Sequence, residues 1–314
     1  MECATIYLVI PCYNEQEVLP ETSRRLKIKL EELIGSGMIS PESRAVFVDD
    51  GSKDTTWSII EKLNAENSLF RGIKLSRNRG HQNALLGGLM TVMNDADAVI
   101  SMDADLQDDI DAIDRFIQKF YDGCDIVYGV RSARATDTAF KRITAQGFYK
   151  VMDRMGAKVV YNHADYRLMS KRALQALSQF KEVNLFLRGM VTLVGYKTDI
   201  VEYERAERFA GESKYPLKKM LSFAWDGITS FSVEPIKMIS VAGIITIIAS
   251  IIGFIWCIVR SACGSAVQAV APWALSLWFF AGLILLAVGV VGEYIGKIYS
   301  EVKERPRFII EKYI

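Results

Sequence analysis

The chain has almost no net charge: 38 Lys and Arg stand against 37 Asp and Glu in 314 residues, a formal +1. There is thus no global basic field of the kind that draws a protein to nucleic acid, and no nucleic-acid partner is expected. Cysteine is sparse. Cys3, Cys12, Cys124, Cys257 and Cys263 are odd in number, scattered and without a CxxC pair. Neither a disulfide framework nor a zinc site is indicated, and reduced thiols fit a cytoplasmic domain. The N-terminus lacks a basic segment ahead of an apolar one. TIYLVIP begins almost at once and reads as a buried strand, so export by a cleaved signal is not expected. No GxGxxG follows that strand and no GxxxxGKS/T occurs, which disfavours a dinucleotide dehydrogenase or a P-loop enzyme.

Half of the residues are hydrophobic, an ordinary proportion that hides an asymmetry. Residues 1–233 mix charge and apolar side chains, whereas MISVAGIITIIASIIGFIWCIV, between Lys237 and Arg260, carries no charge. That run is long enough to cross a hydrocarbon core of ~30 Å. A second run follows Pro272, with WALSLWFFAGLILLAVGVVG as its most apolar part. The expectation is a two-helix transmembrane hairpin within 236–297, its spans at about 237–260 and 272–294. Lys214, Lys218, Lys219 and Lys237 precede it, Lys297, Lys303, Arg305 and Arg307 follow it, and the connecting loop offers only Arg260. By the positive-inside rule the large N-terminal domain, both termini and the tail 298–314 face the cytoplasm, in a multi-pass protein of the inner membrane. PLKKMLSFAWDGITSFSV, within 216–235, repeats its apolar residues at helical spacing and reads as an amphipathic juxtamembrane helix. AFKRITAQGFYKVMDRMG is similar; for both, packing on the protein's own core is the competing reading.

Before these spans, strand-like runs alternate with helical patterns: IYLVI, a helix over 15–34, AVFVD, a helix over 55–65, FRGIKLS, a helix over 82–93, AVISMD, a helix over 110–121, and DIVYGV. This βα alternation predicts an α/β domain with a mainly parallel sheet and helices on both faces. Ligands of such sheets bind beyond the C-terminal strand ends. The segments there are polar: PCYNEQE, DDGSKD, RNRGHQN and DADLQDD.

Asp103 and Asp105 flank Ala104, and in an extended segment residues two apart point the same way. Both carboxylates can then converge on one hard cation, Mg²⁺ or Mn²⁺, with diphosphate oxygens and waters completing its shell. Asp108 and Asp109 read as caps of the next helix. Asp49 and Asp50 begin a tight turn, where either local turn chemistry or a hydrogen bond from a base or ribose accounts for them. His81, in a basic loop with Arg77 and Arg79, reads as a capping or packing residue.

PCYNEQE, VDDGSKDTT, LSRNRGHQNALLGG, MDADLQDD, VYGVRSAR and HADYRLMSK, in this order, resemble glycosyltransferase family 2. More narrowly they are similar to its polyisoprenyl-phosphate glycosyltransferases, and the resemblance runs through the closing ERPRFII. It implies a GT-A (Rossmann-like) domain over 1–215 and a nucleotide-sugar donor seated on Pro11, Tyr13, Glu15, Asp50 and the region of Asp103. Asp103, Asp105 and Gln107 match the family's metal and diphosphate residues, and Arg131 and Arg142 its acceptor-phosphate cations. Asp165 aligns with the acidic residue of catalytic role, beside Arg167. Residues 205–215 resemble a mobile loop over the active site, with Arg208, Ser213 and Lys214 as its contacts. A homo-oligomer, such as a tetramer, is also implied.

The implied acceptor is a polyisoprenyl phosphate, undecaprenyl phosphate in bacteria, whose second pKa near ~6 leaves it mostly dianionic at neutral pH. A strong general base is therefore less necessary than for a sugar hydroxyl. Asp165, Asp105 and Arg131 form the expected catalytic set. The ion on Asp103 and Asp105 stabilises the leaving diphosphate, Arg131 with Arg142 or Lys214 holds the acceptor, and Asp165 orients. Attack inverts the anomeric carbon, with UDP-glucose the first donor to consider. Another sugar (mannose, N-acetylhexosamine, an aminopentose), a polysaccharide synthase and a non-catalytic membrane scaffold are the alternatives. The lack of a QxxRW motif counts against the synthase, and the Asp103/Asp105 pair with Arg131 against the scaffold.

Overall fold

A computed structural model describes residues 3–131, 163–204 and 270–314, with scattered positions between 236 and 259. The chain divides into two compact units, one built on a sheet and including Arg305–Ile314, the other including Leu217–Glu304.

The sheet unit opens as the alternation predicts. β1 (Ile6–Cys12), α1 (Leu19–Gly35), β2 (Arg44–Asp49), α2 (Thr56–Glu66), β3 (Phe70–Leu75), α3 (His81–Val92), β4 (Ala98–Ser101), α4 (Ala112–Tyr121) and β5 (Ile126–Arg131) follow in order. β6 (His163–Ser170), α5 (Lys171–Leu177), α6 (Leu187–Leu193) and β7 (Thr198–Tyr203) come next, and β8 (Ile310–Tyr313) closes the chain. The eight strands lie in the order β7-β5-β6-β4-β1-β2-β3-β8. β1, β2, β3 and β4 run parallel to their neighbours within that block, with Val9 opposite Val46 and Leu8 opposite Ile100. The sheet is mixed rather than mainly parallel, because β6 enters antiparallel between β4 and β5 and β8 adds antiparallel to β3. The end of the expected tail is thus an edge strand of this sheet.

Helices cover both faces, which is why the central strands read as unbroken apolar runs. Ile6, Leu8 and Ile10 of β1 share a core with Leu26 and Leu30 of α1, Ile60 of α2 and Phe116 of α4. The alternate residues Val9 and Val48 face α3. There Gly88 is required: a Cβ on it would lie 2.6 Å from both Val9 Cγ1 and Val48 Cγ2. α3 therefore sits close to β1 and β2, and its first residue, His81, is carried to the strand ends.

α1 begins at Leu19, later than the periodicity suggests. Residues between β1 and α1 are instead tied across to the loop after β2: the Asn14 N–H donates to Ser52 Oγ, the Lys53 N–H to Asn14 Oδ1, and the Glu15 N–H to Thr56 Oγ1. In the second unit, α7 (Val270–Val302) contains the expected span 272–294. The span 237–260 is described only at scattered helical positions, and the amphipathic segments at 139–156 and 216–235 lie outside the described residues. Among the described residues no helix is long and apolar enough to cross a membrane.

Candidate active site

The polar strand ends converge on His81. Its imidazole Nε2 lies 3.5 Å from Asp103 Oδ1, just beyond β4, and 3.6 Å from Asp165 Oδ2 on β6. A cation at a helix N-terminus opposes the helix dipole, so the two carboxylates must hold it there. Burial alone would push the His81 pKa down, but Asp165 and Asp103 outweigh it and raise it to about 9, leaving the ring protonated at neutral pH. His81 is therefore neither cap nor simple packing residue; the N-cap is Gly80, which has no side chain to offer.

Asp165 is the most enclosed of the group. Its Oδ1 accepts from Arg167 Nη2 at 2.5 Å, and Arg188 donates Nε to Oδ1 at 3.2 Å and Nη2 to Oδ2 at 3.0 Å. Burial pushes this carboxyl up, yet Arg188, His81 and Arg167 prevail and hold it well below the usual carboxylate range. Ser101 Oγ, at the end of β4, donates to the Asp165 carbonyl and so locks β6 to the strand that leads to Asp103. Arg188 sits on α6, whose first N–H, from Leu187, donates to Gln82 Oε1 on α3 at 2.8 Å. α3, β4, β6 and α6 thus build one site.

A second group lies around Arg131. Arg131 Nε donates to Tyr203 OH at 3.2 Å, Tyr203 OH donates to Asp108 Oδ1 at 2.6 Å, and Arg131 Nη2 lies 3.6 Å from Asp108. Asp108 is not a helix cap as expected. It is buried, and burial first, then the charge of Asp103, raises its pKa to about 6. Asp109 does serve a turn, its Oδ1 accepting from the Asp111 N–H.

The expected nucleotide residues are placed as follows. Pro11 is buried in β1 opposite Val48, and Tyr13 and Glu15 are half-buried just after it. Asp50 is buried, with Oδ1 accepting from the Arg79 N–H at 2.7 Å and Oδ2 from the Gly80 N–H at 2.9 Å. It clasps the loop that feeds His81 across about thirty residues, while Asp49 Oδ1 serves the local turn by accepting from the Ser52 N–H at 3.2 Å. The Gln107 N–H donates to Asp105 Oδ1 at 3.2 Å in the turn after β4. Arg142, Arg208, Ser213 and Lys214 lie outside the described residues. Arg188 and Tyr203 had no motif to announce them.

A divalent ion fits this donor set on one condition. Among the described residues no group of three or more His, Cys, Asp or Glu could hold a metal. Asp103 and Asp105 are two hard carboxylate donors, sufficient where substrate phosphates and waters supply the rest. Their charge already disfavours ionisation of Asp108, the local excess of negative potential that a cation relieves.

Acidic residues thus gather at the strand ends of a mixed sheet with helices on both faces. Residues 7–178 match Glycosyl transferase family 2, and the chain belongs to that family. It is a glycosyltransferase with a GT-A-like α/β fold. The uncharacterized glycosyltransferase YkoT of Bacillus subtilis is 50% identical over 304 residues, covering 97% of this chain and 90% of that protein. The SfII prophage-derived bactoprenol glucosyl transferase of Shigella flexneri is 40% identical over 310 residues, 98% of this chain and 97% of its own. Among solved structures, glucosyl-3-phosphoglycerate synthase from Mycobacterium tuberculosis is a distant likeness, with 17% identity, a TM-score of 0.45 and coverage of 72% of this chain and 78% of that one.

Proposed function

We propose that the chain transfers glucose from UDP-glucose to the phosphate of undecaprenyl phosphate at the cytoplasmic face of the inner membrane, with inversion at the anomeric carbon. The observation that carries this reading is the meeting of Asp103 and Asp165 across His81, with Arg188 on Asp165. It joins the strand end suited to a donor diphosphate to a cationic group suited to a second anion. A relative of 40% identity over nearly the whole chain that bears the name bactoprenol glucosyl transferase supports both the sugar and the lipid.

Asp103 and Asp105 would hold Mg²⁺ or Mn²⁺, which when bound neutralises charge on the departing diphosphate. The chain's own residues do the rest. Asp165, kept ionised by its cations, is a poor proton acceptor, and a phosphate dianion requires none. Its role is to orient Arg188, whose side chain is 41% exposed and able to meet an incoming phosphate with a planar fork. Arg131, steadied by Tyr203 and Asp108, is a second acceptor-phosphate contact.

The lipid tail of such an acceptor stays in the bilayer, so the site must be held at its surface. Ile245, Ile248, Ile252 and Ile255 at helical positions, and Leu277, Ile284, Leu286 and Val288 on α7, are each more than half exposed. Apolar surface of this kind is stable against hydrocarbon rather than water. It supports the two-helix hairpin, and the flanking lysines and arginines support cytoplasmic termini.

The test uses full-length protein in vesicles containing undecaprenyl phosphate, with radiolabelled UDP-glucose, GDP-mannose and UDP-N-acetylglucosamine, with and without EDTA. Label from UDP-glucose enters the lipid as the β-anomer, stops with EDTA and resumes with Mn²⁺. Asp103→Asn lowers kcat by about a hundredfold or more. Failure of every donor to label the lipid would sink the proposal.

A further inference from the structure

Arg167 is the largest fully buried side chain among the described residues. It sits on β6 in the middle of the sheet, in register with Ser101 of β4 and Tyr128 of β5. Its Nη2 donates to Asp165, but its Nε and Nη1 are buried without a hydrogen-bond partner. A buried cation with unpaired donors is costly, and apolar residues of similar volume commonly replace such groups with a gain in stability.

Asp165 would not be left unpaired without Arg167 either. Asp165 already has Arg188 on both oxygens and His81 at 3.6 Å. Arg167 differs from the other two cations in rigidity. His81 and Arg188 are 37% and 41% exposed at their side chains, whereas Arg167 is held between neighbouring strands at 1%. On a strand, residues 165 and 167 point to the same face, so this guanidinium can set the carboxylate's rotamer from a fixed base.

We propose that Arg167 is a positioning residue: anchored in the sheet, it fixes the Asp165 carboxylate in the orientation that His81 and Arg188 share, at the expense of stability. This rests on the reading of Asp165 as part of the reacting centre. Arg167 does not touch substrate; it acts through Asp165.

The experiment compares full-length Arg167→Met, Arg167→Lys and Asp165→Asn in undecaprenyl-phosphate vesicles with labelled UDP-glucose and Mg²⁺, and measures the Tm of each. Arg167→Met keeps or raises Tm, because a buried cation with two unpaired donors has gone while Arg188 keeps Asp165 paired. Its KM for UDP-glucose stays within about twofold while kcat falls about a hundredfold, the loss that accompanies a misplacement of about 1 Å at a reacting group. Arg167→Lys, which restores charge without the fork, recovers part of kcat. A kcat for Arg167→Met within about threefold of the parent overturns the proposal. So does an Arg167→Met protein that fails to fold or loses Tm along with activity, since that marks a structural prop. Asp165→Asn separates the two levels. Full activity there removes the reacting centre itself, whereas an inactive Asp165→Asn beside a fully active Arg167→Met removes only the positioning role.

Discussion

Asp50→Asn replaces one oxygen of a carboxylate that is 2% exposed and serves two backbone donors, the N–H groups of Arg79 and Gly80. A hydrogen bond to a charged group contributes about 1.5–3 kcal/mol. Asparagine keeps one acceptor and turns an amide N–H against the other donor. Part of that loss is offset, because burial raises the Asp50 pKa despite its two donors and the charge is itself costly to bury. The net expectation is a destabilisation of about 1–2 kcal/mol. In a unit of this size each kcal/mol moves Tm by ~2–4 °C, so a fall of about 2–8 °C should appear in a thermal melt. The clasped loop passes through Gly80, held at a φ of +86°, straight into His81. Loosening it should therefore lower kcat by about tenfold while leaving UDP affinity nearly intact, as titration calorimetry would report. The reasoning is refuted by the opposite pattern: an unchanged Tm with UDP binding weakened tenfold or more would make Asp50 a direct nucleotide ligand.

Gly88→Ala should lower the denaturation midpoint, since the new Cβ lies 2.6 Å from Val9 and Val48 methyls. Overpacking costs about 1–3 kcal/mol and helix propensity returns about 1, leaving a net loss of about 1–2 kcal/mol; an unchanged midpoint would show that α3 is not so tightly seated. Asp108→Asn bears on pH. The folded-state pKa of Asp108 is raised from 3.8 to about 6, so the native protein holds the extra proton and stability falls as pH rises through that window. Asparagine should remove this slope and stabilise at pH 7.5 by on the order of 1–3 kcal/mol. The same variant should raise the acceptor KM by loosening Arg131, and a melt series from pH 4 to 8 with parallel slopes for both proteins would contradict the assignment.

The alternation through β5 was legible because each of those strands is covered on both faces and leaves an apolar run. β6 was not, for a physical reason: HADYRLMS carries Asp165 and Arg167, and buried charges break the pattern that marks a strand. β8 was hidden because IEKY is exposed throughout, its place set by backbone pairing with β3 rather than by apolar side chains. Asp49 and Asp50 were legible as a turn, which Asp49 serves through the Ser52 N–H, but the reach of Asp50 to the Arg79 and Gly80 N–H groups of a distant loop was not. Asp108 was misread because a carboxylate before a helix is ordinarily a cap, and only the arrival of Tyr203 from β7 makes it a buried acceptor.

What the sequence determined by itself was the order of strands and helices over the first half, the acidic and basic residues waiting at the strand ends, and two uncharged runs near the C-terminus. These depend on period, turn chemistry and hydropathy, which act over a few residues. Tertiary structure alone decided that β6 would lie antiparallel beside β4, and that decision brings Asp165 to His81 and Asp103, and Arg188 to Asp165. Charges acquire partners, and their pKa shifts, only when distant strands are packed together, so no local pattern could announce the pairing.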